Sequence, residues 1–199
     1  MISPRRLRAL VATLLSLLAP SLLLAQNPPP VGPEPLNAPV AVLAAALYND
    51  QANLKEPSDS TQARLATEVL RTQLREGLGD QVISYSLIDS LTTSPEAVRA
   101  GGGVPCQVRL DCALAVAARA GARWLVMTKV SKTSNLIWLL SAQLVRVTTG
   151  EIILDDSTEL KGEPAPMVRI GARSFANRVE RTVRSGGYVT NFPHGEPGS

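Results

Sequence analysis

The chain has 199 residues, of which 45% are hydrophobic and 19% charged, a composition typical of a folded domain and not of a disordered or fibrous protein. It carries 20 basic and 17 acidic side chains, but three of the basic ones, Arg5, Arg6 and Arg8, lie in the first 25 residues. Without that segment the chain is formally neutral, so its overall charge does not indicate nucleic acid or an anionic membrane as a partner.

The first 25 residues have the layout of a secretory signal peptide. A basic start is followed by an apolar run over 10–24, which contains Pro20, and Ala25 offers a small residue at a candidate cleavage site. Leu23 lies at the position where a small residue is preferred, so the alternatives are cleavage elsewhere and inefficient cleavage. The apolar run is shorter than the roughly 20 residues that span a bilayer. We therefore predict a periplasmic protein, exported through a Sec-type signal, with no integral membrane span after cleavage.

The next segments predict a leader and the start of one domain. Residues 26–39 are rich in proline and predict an extended, poorly ordered leader, and the apolar run 40–47 predicts a buried strand. A single α/β domain is predicted over 40–185, and a disordered tail rich in glycine and proline over 186–199.

Two periodic segments follow. Residues 59–77 place leucines and a valine at helical spacing, with Asp59 or Ser60 as the N-cap and Gly77 as the stop, and predict an amphipathic helix. Residues 81–88 alternate between two sets of side chains and predict a strand.

Cys106 and Cys112 are the two cysteines of the chain. In an exported protein an even number of cysteines favours a disulfide. Zinc would need further thiolate or imidazole ligands, and a thioredoxin-like pair has two intervening residues, not five. Six residues along a helix separate Cα atoms by about 9 Å, too far for a disulfide, so Cys106 must lie outside the helix that Cys112 begins after an N-cap at Asp111. We predict a structural disulfide, with a reactive thiol pair as the alternative.

The second half of the domain is predicted from its periodicity. In chain order it forms a helix over 112–120, a strand over 123–130, hairpin strands over 135–147 and 151–160, and a C-terminal helix over 166–185. Gly150 takes the positive φ of the hairpin turn. This order predicts an α+β fold, an α/β sandwich, with a mixed sheet of about four or five strands and helices packed mainly on one face.

A family resemblance rests on residues 112–162. The first motif is the alanine-rich helix over 112–120. It is followed by a turn into a strand, a polar link and a hairpin tip, which here are, in that order, Gly121-Ala122-Arg123, Val130 with Lys132, Ser134 and Leu136, and Thr149-Gly150. The segment resembles a family of small secreted bacterial proteins of unknown function. The order of elements is similar to that of the TolB amino-terminal domain and the periplasmic domains of CsgG and LpoB. The resemblance implies a protein that binds other envelope proteins and catalyses nothing.

The residues themselves predict no catalytic, metal-binding or cofactor-binding site. His194, the single histidine, lies in the predicted tail, where no carboxylate can orient it. Asp155 and Asp156 are successive strand residues, so their carboxylates should point to opposite faces of the sheet. The glycines of 101–105 lack the lysine and hydroxyl of a phosphate-binding loop.

The resulting hypothesis is a non-enzymatic periplasmic module for protein–protein interaction with an envelope protein, and the alternative is a periplasmic protein that binds a small ligand. The first hairpin strand should bury Trp138, Leu140, Ala142 and Leu144. Its other face and the basic face of the last helix supply the candidate partner surface, which consists of Ile137, Leu139, Ser141, Gln143, Arg173 and Arg181.

Overall fold

The protein is described by a computed structural model over residues 32–48, 56–134 and 137–188. Its elements in chain order are β1 (Val40–Val42), β2 (Ala46–Leu47), α1 (Ser60–Leu78), α2 (Tyr85–Thr92), α3 (Pro95–Gly101), α4 (Leu110–Arg119), β3 (Trp124–Lys132), β4 (Ile137–Arg146), β5 (Ile152–Lys161) and α5 (Pro164–Arg184). The described residues from Pro33 onward belong to one compact unit. The predicted signal peptide, His194 and Leu136 lie outside the described residues, as does the predicted tail beyond Tyr188.

The five strands form one mixed sheet in the order β1-β3-β4-β5, with β2 also paired to β3. β1 and β2 run parallel to β3, whereas β3, β4 and β5 are antiparallel. The predicted α+β class and the predicted hairpin are confirmed, and Gly150 has a φ of 71° at the tip. The single strand predicted over 40–47 is split, because the Ala45 N–H leaves the sheet and donates to Thr67 Oγ1 at 2.8 Å.

One side of the sheet, here called the long-helix face, packs against α1 and α5. The side chains of β4 on this face are buried, as predicted: Trp138, Leu140, Ala142 and Leu144. The apolar stripe of α5 lies in the same core: Val168, Ala172, Phe175, Ala176, Val179 and Val183. The backbone of α5 comes so close to the sheet at Gly171 that a Cβ there would lie 2.8 Å from Leu140 Cδ2.

The other side, here called the short-helix face, is covered at one end. Leu125, Met127 and Val145 are buried there against Ile88 of α2 and small side chains of α4. A third cluster joins the disulfide to Ala97 of α3 and Val116 of α4. The prediction that helices pack mainly on one face is thus refined: two long helices cover one face and short helices cover part of the second.

The strand predicted over 81–88 is wrong. Val82 makes a single parallel bridge to Val40, and the chain then turns into α2 at Tyr85. Tertiary contacts decide this, because Ile88 is fully buried and Asp89 forms two hydrogen bonds with the Arg71 guanidinium of α1. An alternating run of eight residues can satisfy either conformation, and the buried partners favour the helix.

Helix α1 also ends later than predicted. It continues through Gly77 to Leu78, and Gly79 at the C-cap has the positive φ of 57°. Gly77 lies instead where α1 approaches α5, since a Cβ there would overlap the Glu180 carboxylate. Here the glycine permits a close approach of two helices, which is a separate use from ending a helix.

Residues 33–39 of the predicted leader are part of the domain. The Glu34 N–H donates to the Gly186 carbonyl at 3.1 Å, and Ala38 is buried. The Glu34 carboxylate is itself buried and lies 3.5 Å from Arg146 Nη1, which explains why this acidic residue is not solvated. The prediction of an extended tether is therefore wrong for 33–39.

Candidate functional site

The structure divides the predicted partner surface into two. Ile137, Leu139, Ser141 and Gln143 lie together on the short-helix face, each half-buried. Arg173 and Arg181 lie on the exposed side of α5, which packs against the opposite face of the sheet. The structure therefore does not bring the two arginines to the sheet residues.

The four sheet residues form the centre of what we call the open patch. Strand register places Ser131 and Glu159 beside Leu139, and Lys129 and Ser157 beside Ser141. Directly opposed residues of antiparallel strands share a face, so these four neighbours complete the open patch. Its middle is apolar and its margin carries hydroxyls and charges of both signs.

A small cleft lies where the open patch meets the covered end of the sheet. It has a volume of ≈ 100 Å³ and is lined by Gln107, Val108, Met127, Thr128, Lys129, Ser141 and Gln143. The short turn Cys106–Val108 forms one wall. The size corresponds to about three water molecules at roughly 30 Å³ each, which suits one inserted side chain.

The predicted disulfide holds this wall in place. Cys106 lies in the turn and Cys112 in α4, with their sulfurs bonded and their Cα atoms 5.3 Å apart. The first cysteine is thus outside the helix, as the geometry required. The helix begins at Leu110 and not after Asp111, whose carboxylate instead accepts hydrogen bonds from the Arg109 side chain.

The polar groups of the cleft have hydrogen-bonding capacity left for a partner. Within the described part of the chain, no carboxylate lies within 4 Å of Lys129 Nζ, which sits 5.4 Å from the centroid of the Tyr48 ring. The Gln143 side-chain amide donates to Asp155 Oδ1 at 3.2 Å, so its carbonyl oxygen is available. Lys129, Gln107 and Glu159 were not predicted as site residues, although the period of two along β3 places Lys129 on the same face as Met127.

Asp155 and Asp156 point to opposite faces, as predicted. Asp155 accepts the hydrogen bond from Gln143 on the short-helix face, and Asp156 forms an ion pair with Arg178 of α5 on the other. The two carboxylates therefore do not form a shared acid–base or cation site. Within residues 32–48, 56–134 and 137–188, no group of three or more potential metal ligands lies close together.

A buried ion pair on the long-helix face was also not predicted from the sequence. Lys132 Nζ lies 3.2 Å from Glu56 Oε1 and 3.2 Å from Asp59 Oδ1, in the short turn that precedes α1. Burial lowers the pKa of Lys132, but hydrogen bonds to the two carboxylates outweigh it, and the net pKa is raised above the ordinary lysine value. The contact holds the turn before α1 against the end of β3 and is structural in position.

None of the helices in the described ranges combines the length and the apolar composition needed to span a membrane.

The fold and the open patch define an α+β domain whose sheet is covered on one face and partly open on the other. The chain belongs to the DUF3280 family, described as "Protein of unknown function (DUF2380)", whose model matches residues 38–176. The resemblance to a family of unknown function is confirmed. No curated protein matches the chain.

Several solved structures are similar to this chain. The LpoB C-terminal domain from Salmonella enterica is 18% identical, with 67% of this chain and 87% of that chain covered and a TM-score of 0.42. The PelC dodecamer from Paraburkholderia phytofirmans is 17% identical, with coverages of 77% and 92% and a TM-score of 0.43. TolB from Acinetobacter baumannii is 16% identical, with coverages of 77% and 29% and a TM-score of 0.43. Likenesses of this strength do not transfer an activity or a partner.

Proposed function

We propose that the protein is an exported, non-enzymatic interaction module of the bacterial envelope, which binds another envelope protein through the open patch. The observation that carries the proposal is the uneven cover of β4. Its side chains on the long-helix face are buried, whereas Leu139 and its neighbours on the short-helix face lie beyond the short helices.

The composition of the open patch favours a protein as the partner. Protein interfaces combine an apolar centre with a polar margin, and here Ile137 and Leu139 are bordered by Lys129, Glu159 and hydroxyl side chains. The cleft of ≈ 100 Å³ is well below the roughly 300 to 1,000 Å³ typical of small-ligand sites. It suits a single side chain of a docked protein better than a metabolite.

Two features support export. The first 25 residues have the layout of a signal peptide, and the Cys106–Cys112 disulfide is of a kind that persists in oxidising compartments such as the periplasm. Since the disulfide also holds the wall of the cleft, the compartment and the proposed binding surface are linked.

Site-specific photo-crosslinking in envelope preparations tests the proposal. A photoreactive residue at the exposed Ser157 lies within the open patch, and one at the exposed Thr72 lies on α1, behind the other face of the sheet. We expect one discrete protein adduct from position 157, none from position 72, and loss of the adduct in Leu139→Asp.

Adducts of equal yield from both positions, or none from position 157, would refute docking at the open patch. A saturable rise in melting temperature with a metabolite that Leu139→Asp abolishes would instead favour the small-ligand alternative.

A further inference from the structure

Helix α5 carries five arginines and one glutamate, a local excess of positive charge in a domain whose described residues together hold 16 basic and 15 acidic side chains. Of its five arginines, Arg178 is paired with Asp156, and Arg184 is paired with Glu180 at 3.0 Å. The other three, Arg169, Arg173 and Arg181, are exposed, and no carboxylate of the described residues lies within 4 Å of them. We call these three the arginine row.

The arginine row departs from the pattern in the rest of the domain, where most cationic side chains have a carboxylate partner. The described cations without such a partner are Arg64, Arg75, Lys129, Arg169, Arg173 and Arg181. Half of them thus belong to one row on one helix.

The spacing of the arginine row places its members on one side of α5. At 3.6 residues per turn the three arginines lie within a sector of about 120° on the exposed side of the helix, and the 12-residue span from Arg169 to Arg181 extends for about 18 Å. Beside Arg169 and Arg173 lies Ile170, whose surface is 64% exposed. The first half of the row borders a shallow hollow of ≈ 570 Å³, lined by Pro166, Arg169, Ile170, Arg173, Ser174 and Asn177.

We propose that the arginine row binds the anionic phospholipid headgroups of a bilayer. A guanidinium binds phosphate through paired N–H donors, and the Ser174 hydroxyl and Asn177 amide add further donors along the same hollow. Ile170 is placed to enter the boundary between headgroups and acyl chains. The charges therefore complement an anionic lipid surface.

A lipid surface fits this side better than an acidic protein. A stable protein interface buries roughly 800 Å² on each partner around an apolar centre. The arginine row offers one exposed aliphatic side chain along a single helix, whereas the open patch on the other side of the sheet has the apolar centre. A fluid headgroup layer requires only exposed cations and an inserting side chain.

Vesicle co-sedimentation tests the proposal with the chain from Gln26 onward, which contains the whole described domain and lacks the apolar segment that would itself bind lipid. We expect binding to vesicles that contain phosphatidylglycerol, none to phosphatidylcholine alone, and loss at high salt. Arg169→Gln with Arg173→Gln should weaken binding about 25-fold, which is about five-fold for each arginine.

The matched control is Arg99→Gln with Arg119→Gln, which removes the same charge from exposed positions on α3 and α4. Binding by this control should change less than about two-fold, and Leu139→Asp should bind vesicles as the unchanged protein does. Equal losses in the two double variants, or no binding to anionic vesicles at low salt, would overturn the proposal. If Leu139→Asp still binds vesicles, lipid binding by the arginine row is tested separately from protein docking at the open patch.

Discussion

The two faces of β4 belong to one strand and differ in what covers them. Leu140 is 2% exposed and lies under α5, whereas its neighbour Leu139 is half-buried on the short-helix face. Two helices of 19 and 21 residues cover the first face along its length, and short helices cover the second over Met127 and Val145. The same residue type therefore serves the core on one side and an accessible surface on the other.

The difference teaches where this domain has freedom to bind. A fully covered face has close packing that tolerates neither a charge nor an added methyl group. The partly covered face depends on small side chains of α4 and on a disulfide to hold its short helices. Protein binding by the sheet itself is therefore expected on the second face, and stability depends mostly on the first.

The largest expected effect on stability comes from a charge placed on one side of β4 and then on the other. Leu140→Asp buries an unpaired carboxylate, and we expect it to lose about 4 kcal/mol or more, or not to fold. Leu139→Asp should lose less than about 1 kcal/mol, because its carboxylate reaches solvent. Denaturant unfolding measures both. Equal losses would show that the short-helix face is closed as well, and the open patch would have to be withdrawn.

Removal of the disulfide should have an intermediate effect. A loop of this length stabilises by about 2 kcal/mol in the chain-entropy model, so Cys106→Ala with Cys112→Ala should lower the free energy of unfolding by about that amount. Hydrogen exchange should increase in α3 and α4 and remain unchanged in α1 and α5.

The mass of the exported protein provides the complementary check on the same bond. Oxidised protein should be lighter than reduced protein by two hydrogen atoms. Free thiols in the native exported form would contradict the structural disulfide and favour the reactive pair.

A smaller loss of stability should follow from adding a methyl group at Gly171, where α5 packs closely against the sheet. Alanine stabilises a helix interior relative to glycine by up to about 1 kcal/mol, but a Cβ at this position would lie 2.8 Å from the buried Leu140 side chain. We expect Gly171→Ala to lose about 1 kcal/mol net. Gly77→Ala is the control, since its Cβ would meet the movable end of the half-buried Glu180 side chain, and it should cost less. If Gly77→Ala lost more stability than Gly171→Ala, the packing on the long-helix face would be loose enough to accept the added methyl group.

The smallest expected effect is the loss, at alkaline pH, of the stability that Lys132 contributes. Lys132 has a raised pKa in the folded protein, so its stabilising effect is complete below the ordinary lysine value of about 10.5 and is lost as pH rises through the folded value. The difference in unfolding free energy between the unchanged protein and Lys132→Met should therefore stay constant between about pH 7 and pH 10 and shrink above that range. Tyr85, whose pKa is raised by burial, is present in both proteins, so its effect cancels. A difference that also stays constant above pH 10 would show that the ion pair does not stabilise the fold.

Long periodic segments were predictable from the sequence. The core stripe of α5, the inward face of β4 and the turn at Gly150 follow from the local spacing of apolar residues and from the conformational freedom of glycine. The disulfide was predictable because two cysteines in an exported chain, on either side of a helix start, satisfy both the redox and the distance conditions. Each of these inferences depends on interactions within a short stretch of chain.

Tertiary structure decided the remaining features, because they depend on partners far along the chain. The Arg71–Asp89 pair and the burial of Ile88 make 85–92 a helix, and Arg146 draws Glu34 of the leader into the domain. The same holds for the predicted surface, which local patterns assembled from β4 and α5 as if it were continuous. Periodicity records which side of an element is polar, but only packing shows that α5 lies behind the sheet, so that the arginine row and the open patch face opposite directions.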